Sequence, residues 1–463
     1  MEKNSPVSVA HMTSDVLGMH DDWDLTDALR GGTKTMRQQG ERYLPRRKRE
    51  DEEDYEKRLG VSTLFPAYGE TVKRLTGRVF SKPLLVDEKT FPSWIKDEVL
   101  DDVDREGARL EVFAQAFFEL ALHRGHAFVL VDAPRIDKEN VRTVEDARKV
   151  GARPYLVLID PRRVLGWYEE NGRLLEVRIS FDVKERDAYG FRITKEIRVY
   201  RPGSVQVFCS ENGGAYVEAD SYEVDLEDIP LVVLYTQKTG FFTSQPPLRE
   251  LAYLNAKHWR LQSGSDALVE TACVPILALI GVEPNDEVII GAKSALRLPK
   301  DGDAKYVEHT GKAIETAHAS LSKLEREMEQ AGAKLLQRDT QGNKTATEAG
   351  EDSARENSKL GRMTQALDDA LAAVLYYVAA WRGETNVIAN VTSQPNLERL
   401  PNTEGAMRSV LEMYRDGIID ASLVFRTAQR LGLVNEDEDF ETVYNRIRES
   451  QPTGPGMNID GEE

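Results

Sequence analysis

Apolar residues recur at spacings of three and four over long stretches of the chain, which is the pattern of an amphipathic helix. The segment from Asp104 to Arg124 shows this pattern most clearly, and Gly125 after it suits a helix C-cap. Further helices are predicted over residues 55–79, 248–271, 314–336, 347–382, 406–414 and 421–431. The helix over 347–382 would be continuous for about 35 residues, or roughly 50 Å at 1.5 Å per residue.

Between residues 127 and 235 the apolar positions fall instead into short runs bounded by turn residues, which is typical of strands. Strands are predicted at 127–131, 155–159, 174–181, 197–200, 205–209, 216–217 and 231–235. No long helix separates these runs, so we expect an antiparallel sheet and the fold class α+β. Shorter strands are predicted at 274–281, 288–290, 295–298 and 387–391.

Polar segments interrupt or flank these elements. Residues 1–40 are polar and are expected to be flexible or weakly packed, and residues 451–463 are expected to be disordered. Residues 337–345 are wholly polar and lie between two predicted helices, so they are expected to form a loop.

The composition is that of a folded protein with more than one lobe. The 463 residues are 40% hydrophobic and 30% charged, and a chain of this length usually forms two or more cores. The net charge of −18 is unlike that of a protein that grips nucleic acid tightly. Either nucleic acid is not a partner of this protein, or it has to move past the protein without being bound tightly. The basic run 46–49 changes nothing, because the acidic run 50–54 follows it at once.

Neither a membrane segment nor a metal site is expected. The apolar runs fall short of the roughly 18 residues that cross a bilayer, and Met1–His20 lacks the apolar core of a secretory signal. Cys209 and Cys273 form no CxxC pair and no metal quartet. The pair His123 and His126 is close enough to bind a metal, but a predicted helix end between them favours ordinary residues.

The best candidate for a phosphate-binding loop is Gly342-Asn343-Lys344-Thr345. A P-loop needs Gly-x4-Gly-Lys-Ser/Thr after a strand, because its backbone N–H groups wrap the phosphate. Here Asn343 separates the glycine from the lysine, Gln337 stands where the first glycine belongs, and a helix precedes the loop. No GxGxxG, GxSxG or HExxH motif occurs. We therefore expect no enzymatic activity and no cofactor.

The order of elements from 230 to 430 is more informative. A β-rich region ends, a helix carrying Asn255 and Trp259 runs into the strand at 275–279, and a small β insert, a second helix, the polar loop and a long helix follow. Further motifs are Gly77–Pro83, His123–Val131, Asp160–Val164, Gly417–Asp420 and Leu431–Val434. Taken together, residues 40–450 resemble the portal proteins of tailed bacteriophages. Each motif is loose, and their order is the specific feature.

This resemblance implies a portal-like α+β fold with an α/β wing, a two-helix stem, a small β-containing clip, a long tunnel helix and a C-terminal helical crown. By position, the domains would be a flexible segment (1–40), the wing (41–247), stem helix 1 (248–272), the clip (273–312), stem helix 2 (313–336), the tunnel loop (337–346), the long wing or tunnel helix (347–383), the crown (384–450) and a disordered tail (451–463).

The same resemblance implies a ring of about twelve copies at one capsid vertex. Double-stranded DNA would pass through the ring during packaging and ejection. The partners would be the terminase large subunit, a head–tail adaptor, and capsid and scaffold proteins. The ring would assemble in the host cytoplasm, remain in the virion and catalyse nothing itself.

The resemblance also places two candidate sites. The tunnel loop would face DNA with Arg338, Gln341, Asn343 and Lys344. The clip would meet terminase or the adaptor with Glu283, Asp286, Lys293, Arg297 and Lys300. The two loop cations would touch phosphates only weakly, and the alternative is that both are simply solvated. Two other functions stay open, namely a nucleic-acid-processing enzyme (a nuclease or packaging-motor component) and a different virion ring or scaffold protein.

Overall fold

The first compact unit of the chain spans residues 1–397 and contains both helices and strands. The computed structural model describes residues 8–134, 151–210, 214–273, 276–280, 303–307, 311–336, 358–395, 403–430, 434, 438–443 and 446. The helices of this unit are α1 (Ser14–Arg30), α2 (Gly32–Gln39), α3 (Glu52–Val61), α4 (Ala67–Val79), α5 (Ser93–Ile95), α6 (Leu110–Arg124), α7 (Arg249–Ala272), α8 (Lys312–Ala333) and α9 (Lys359–Ala380).

The strands are β1 (Leu85–Val86), β2 (His126–Asp132), β3 (Tyr155–Ile159), β4 (Val164–Glu170), β5 (Arg173–Asp187), β6 (Gly190–Arg201), β7 (Ser204–Ser210), β8 (Tyr216–Glu223), β9 (Leu231–Tyr235), β10 (Lys238–Gly240), β11 (Thr243–Ser244), β12 (Ile276–Ile280), β13 (Asp303–Val307) and β14 (Val391–Thr392). Every pairing among them is antiparallel. The α+β class is therefore confirmed.

A three-stranded sheet, in the order β3-β2-β9, forms the wall between two hydrophobic cores. Ala127, Val129 and Val131 of β2 face a core built with α4, α6, α7 and α9. Phe128 and Leu130 face the second core, which this sheet shares with the five-stranded sheet β4-β5-β6-β7-β8. Since side chains alternate between the faces of a strand, burial on both faces explains the unbroken apolar run of β2.

The N-terminal helices α1 and α2 belong to the first of these two cores, which we call the helical core. The expectation of a flexible or weakly packed segment over 1–40 is therefore wrong for residues 14–39. Trp23 of α1 is fully buried, and its indole Nε1 donates a hydrogen bond to the carbonyl of Arg124 at 2.9 Å. The guanidinium of Arg124 lies 5.8 Å from the Trp23 ring. Arginines on other elements neutralise the acids of α1, including Asp24, which accepts from Arg42 at 2.8 Å. The polar sequence of this segment thus reflects paired charges rather than disorder.

Arg124 is the centre of a buried ion-pair cluster at the end of α6. Its side chain is 4% exposed and lies 2.7 Å from Asp27 and 2.8 Å from Asp160. Burial would raise the pKa of Asp160, but hydrogen bonding to Arg124 and the charge of that guanidinium hold the pKa below its ordinary value. The cluster joins α1, α6 and the turn before β4.

A second buried ion pair anchors α7. Arg58 of α3 forms a two-pronged pair with Glu50 at 2.5 and 2.6 Å, and each side chain is only 8% exposed. Another Arg58 nitrogen donates to Ser263 of α7 at 3.3 Å, and Ser62 and Ser263 share a hydroxyl hydrogen bond of 2.9 Å. The hydrogen bond from Arg58 lowers the pKa of Glu50 to about 2.

Several predicted boundaries differ from the observed ones. The predicted helix over 55–79 is two helices, because Ser62 and Pro66 have non-helical backbone angles between α3 and α4. The helix predicted from 347 is wrong as a continuous element. Ser358 is extended and accepts from the Gly361 N–H, so α9 begins at Lys359 and has 22 residues. The start proposed at Thr347 lies outside the described residues, as do residues 288–298 and 451–463.

Other predictions hold with shifted ends. The helices predicted over 248–271 and 314–336 correspond to α7 and α8, and the predicted strands between 127 and 235 correspond to β2, β3 and β5–β9. Helix α6 begins at Leu110 rather than Asp104. Strand β13 was not predicted, and β14 covers only the end of the predicted strand 387–391. In the second unit, residues 398–463, the helices α10 (Thr403–Arg415) and α11 (Ala421–Arg430) match the predicted ones.

Replacing Arg124 by methionine should lower the free energy of unfolding by about 2 kcal/mol, because Asp27 and Asp160 lose a buried counter-charge while staying 37% and 29% exposed to water. Urea unfolding followed by circular dichroism measures the change. Arg74→Met, at an exposed position of α4, is the matched control and should stay within about 0.5 kcal/mol of wild type. Equal losses in both variants would contradict the role given to the cluster.

Replacing Glu50 by glutamine should cost about 2 kcal/mol at pH 7, allowing for some screening of the pair by solvent. The folded-state pKa of Glu50, about 2, lies below the ordinary value of 4.5, so its contribution is complete above about pH 5 and declines as the pH falls toward 2. Unfolding measured at pH 7, 5 and 3 should therefore show the variant converging on wild type in acid. Glu53→Gln, exposed on α3, should remain parallel to wild type; a constant gap for Glu50→Gln would refute the linkage.

Candidate assembly site

Helices α7 and α8 form an antiparallel pair that is joined through the β12–β13 hairpin. The hairpin pairs Ile276 with Val307 at its helical end and Ile280 with Asp303 at its far end. Between the helices, His258 Nε2 lies 3.3 Å from a carboxylate oxygen of Glu325. We call this unit, α7 with α8, the helix pair.

The half of the helix pair that lies away from the hairpin, which we call the proximal half, is part of the helical core. Trp259 of α7 and Met328 of α8 are almost completely buried there. The helices α4 and α8 approach so closely at Gly332 that a Cβ on it would lie 3.0 Å from the Thr71 methyl. A side chain at position 332 would require the Thr71 side chain to shift by a few tenths of an ångström, so the small residue permits this close approach.

Asn255 fixes the helix pair to the segment that enters α4. Its side-chain carbonyl accepts from the Tyr68 N–H at 3.0 Å, and its amide donates to the Phe65 carbonyl at 2.9 Å. The side chain is fully buried, so both hydrogen bonds are shielded from water. His258, one turn further, packs its ring 5.1 Å from that of Phe65.

The distal half of the helix pair is not covered by the described part of the chain. None of residues 266–272 of α7 or 312–320 of α8 is buried. Leu268 is an apolar side chain that is 38% exposed in this part. About two turns of each helix therefore extend beyond the core that the structure describes and lead toward the hairpin.

A groove of about 540 Å³ runs between α4 and the proximal part of α8. Its charged lining alternates in sign, with Arg74 and Arg326 opposed by Glu70, Glu325 and Glu329. Neither charge predominates, so the groove offers no site selective for an anion or a cation.

The residues predicted to contact DNA, terminase or the adaptor lie outside the described residues. This applies to Arg338, Gln341, Asn343 and Lys344, and to Glu283, Asp286, Lys293, Arg297 and Lys300. The described elements nearest to them in sequence are the ends of α8, α9 and the β12–β13 hairpin. Leu268 was not predicted as a site residue; its signal in the sequence is an apolar side chain off the buried stripe of its helix.

Within the described ranges, no group of three or more histidine, cysteine or carboxylate side chains is placed to hold a metal ion. In the same ranges, no helix combines the length and the apolar character needed to cross a membrane. His123 and His126 serve packing, since His123 contacts the Tyr68 hydroxyl at 3.1 Å and His126 contacts the Ser244 hydroxyl at 2.6 Å. Burial lowers the pKa of His126 to about 3, so this ring is neutral at pH 7.

Residues 247–382 match the model of a protein family described as a domain of unknown function, DUF4055. This span contains the helix pair, its hairpin and α9, and it is less than half of the chain. No curated protein matches the sequence.

Among solved structures, the chain is similar to components of gene transfer agent particles. One is from the virion of a native particle, at 15% identity over 80% of this chain and 90% of the other, with a TM-score of 0.40. The second is from the neck of a native particle computed with C12 symmetry, at the same identity and coverage, with a TM-score of 0.38. The third is from the neck of an empty particle computed with C6 symmetry, again at the same identity and coverage, with a TM-score of 0.39.

Proposed function

We propose that this chain is the subunit of a homo-oligomeric ring of the phage portal type. The ring stands at one capsid vertex, passes double-stranded DNA during packaging and ejection, and carries the terminase large subunit and then a head–tail adaptor. The single observation that carries the proposal is the helix pair. Its proximal half packs in the core, whereas no residue of its distal half is buried among the described residues, and this half leads to the β12–β13 hairpin.

In one isolated chain, the distal half gains little from packing. Most helical stability in proteins comes from burying an apolar face against a neighbour, and in the described part of the chain no residue of 266–272 or 312–320 is buried. Side-by-side packing of the pairs from adjacent subunits would supply the missing contacts and would close a ring by rotation. The buried anchors at Ser263 and Asn255 would keep every pair at the same angle to its body.

The charge of the chain suits a channel through which DNA has to slide. Each phosphate that a protein neutralises releases counterions and strengthens binding, so a net charge of −18 disfavours a tight grip. Weak contacts are proposed at the tunnel loop, from Arg338 and Lys344. The clip residues named above are proposed to face terminase or the adaptor. On this proposal the ring moves nothing by itself and hydrolyses no nucleotide.

The purified chain should assemble into particles of several hundred kilodaltons, about twelve times the 52.1 kDa of one subunit. Mass photometry at moderate salt measures this directly, and a nucleotide-hydrolysis assay on the same sample should give no turnover. A chain that stays monomeric over the accessible concentration range would contradict the proposal.

Leu268→Asp should weaken assembly, because it places a charge among distal residues that would pack against a neighbour. The fraction of assembled mass at a fixed concentration should fall several-fold, while urea unfolding of the dissociated chain should change by less than about 0.5 kcal/mol. Glu250→Gln, exposed in the first turn of the same helix and outside the distal part, is the control and should assemble as wild type does. Normal assembly of Leu268→Asp would remove the distal helix pair from the interface.

Lys344→Ala should leave ring assembly intact and should change the packaging or retention of DNA, since one weak phosphate contact per subunit is lost. A packaging assay with purified terminase and empty capsids measures the effect, and Lys57→Ala on α3 controls for the loss of one charge. Unchanged packaging would remove Lys344 from the channel without affecting the ring itself.

A further inference from the structure

Strands β5 and β6 extend beyond the rest of their sheet as a two-stranded ribbon. Strand β4 pairs with β5 only as far as Ile179, and β7 pairs with β6 only from Glu196. From Asp182 to Lys195 the two strands pair with each other and with no other strand that the structure describes. Six residues per strand at about 3.4 Å each give a ribbon of roughly 20 Å.

The tip of this ribbon exposes large apolar side chains. Tyr189 is fully exposed, Phe191 is 73% exposed and Ile193 is 60% exposed. Isolated apolar residues are common on protein surfaces, but three of them on one narrow ribbon form a patch that water solvates poorly. Such a patch is typical of a contact with another macromolecule.

The strand register gives one face of the ribbon a basic character. Lys184 lies directly opposite Ile193, and Arg186 lies directly opposite Phe191, so these four side chains share a face. Lys195 is on the same face, and its opposite residue, Asp182, lies 3.6 Å from Arg163. We call this the basic face. It combines apolar area with positive charge, and so it fits an acidic protein surface that also carries apolar residues.

The chain itself offers such a surface at strand β8. Among the described residues, this strand is the edge of the five-stranded sheet and pairs with β7. The register places Glu218 opposite Phe208 and Glu223 opposite Ser204, so the two exposed carboxylates share one face with the half-buried Phe208, whereas Val217 and Asp220 lie on the other face. The charge of Glu218 and Glu223 and the apolar area of Phe208 thus complement the basic face.

We propose that the basic face of the ribbon docks on the β8 edge of a neighbouring copy of this chain. The donor and acceptor surfaces differ, so the contact is heterologous, and repetition by rotation closes a ring rather than a two-fold dimer. The inference rests on the proposed ring function and names a contact that holds it together.

DNA is the other acidic partner to consider, and the charges argue against it. Within residues 182–195 the cations Lys184, Arg186, Arg192 and Lys195 are accompanied by Asp182, Glu185 and Asp187, which leaves a nearly neutral ribbon. Binding of DNA depends on an excess of cations that displace counterions from phosphates. An acidic strand face that includes the half-buried Phe208 matches the aromatic tip better.

The test reverses the charges on each side separately and then together in the full chain. Lys184→Glu with Arg186→Glu should raise the concentration for half assembly about tenfold, as should Glu218→Lys with Glu223→Lys. The chain with all four changes should return close to wild type, because the attraction is restored with opposite signs. Lys48→Glu with Lys57→Glu, exposed elsewhere, controls for net charge.

Mass photometry gives the assembly readout, and gel shifts with double-stranded DNA run in parallel. Assembly that is insensitive to the ribbon reversal would overturn the docking while leaving a wild-type ring intact. Failure of the four-change chain to recover would overturn β8 as the acceptor. Loss of DNA binding with normal assembly would also overturn the docking. A wild-type chain that forms no oligomer at all would instead refute the proposed function.

Discussion

Burial of strand β2 on both faces is the constraint on which the rest of the first unit depends. Alternate side chains of this strand enter two different cores, so neither core forms without it. Trp381, at the end of α9, donates its indole N–H to the Val131 carbonyl at 3.0 Å and so fixes the last long helix of this unit to the same strand. The helix pair packs on the helical side of this wall, and the ribbon belongs to the sheet on the other side.

Polar clusters then fix the orientation of the elements around that wall. Arg124 ties the start of β2 to α1 and to the turn before β4, and Arg58 ties α3 to α7. Both guanidinium groups are almost fully buried, at 4% and 8% exposure, and each pairs with carboxylates, so these contacts are more directional than apolar contacts alone. This is how a helix pair whose distal half lies outside the core can still point in one defined direction.

Sequence patterns predicted much of this architecture, and physical reasons explain what they missed. The stripes of α6, α7 and α8 and the short runs of the strands are local signals, and the corresponding elements are present. The packing of α1 was missed because its aspartates look like a solvated surface until Arg42, Arg124 and Arg162 arrive from distant parts of the chain. The start of α9 was placed too early because the preceding residues have helix-compatible composition, whereas the boundary is set by the cap at Ser358. The exposed ribbon tip follows from where β4 and β7 end, which no local pattern reveals.

The central claim is that the chain is a ring subunit whose helix pairs pack around a channel. Negative-stain electron microscopy of the purified full-length chain tests it most directly, because class averages show both the symmetry and the channel. The account predicts end-on views with about twelve-fold symmetry around a stain-filled centre, and side views with a narrow stem formed by the helix pairs. Averages showing only single subunits, or two-fold dimers without a channel, would contradict it.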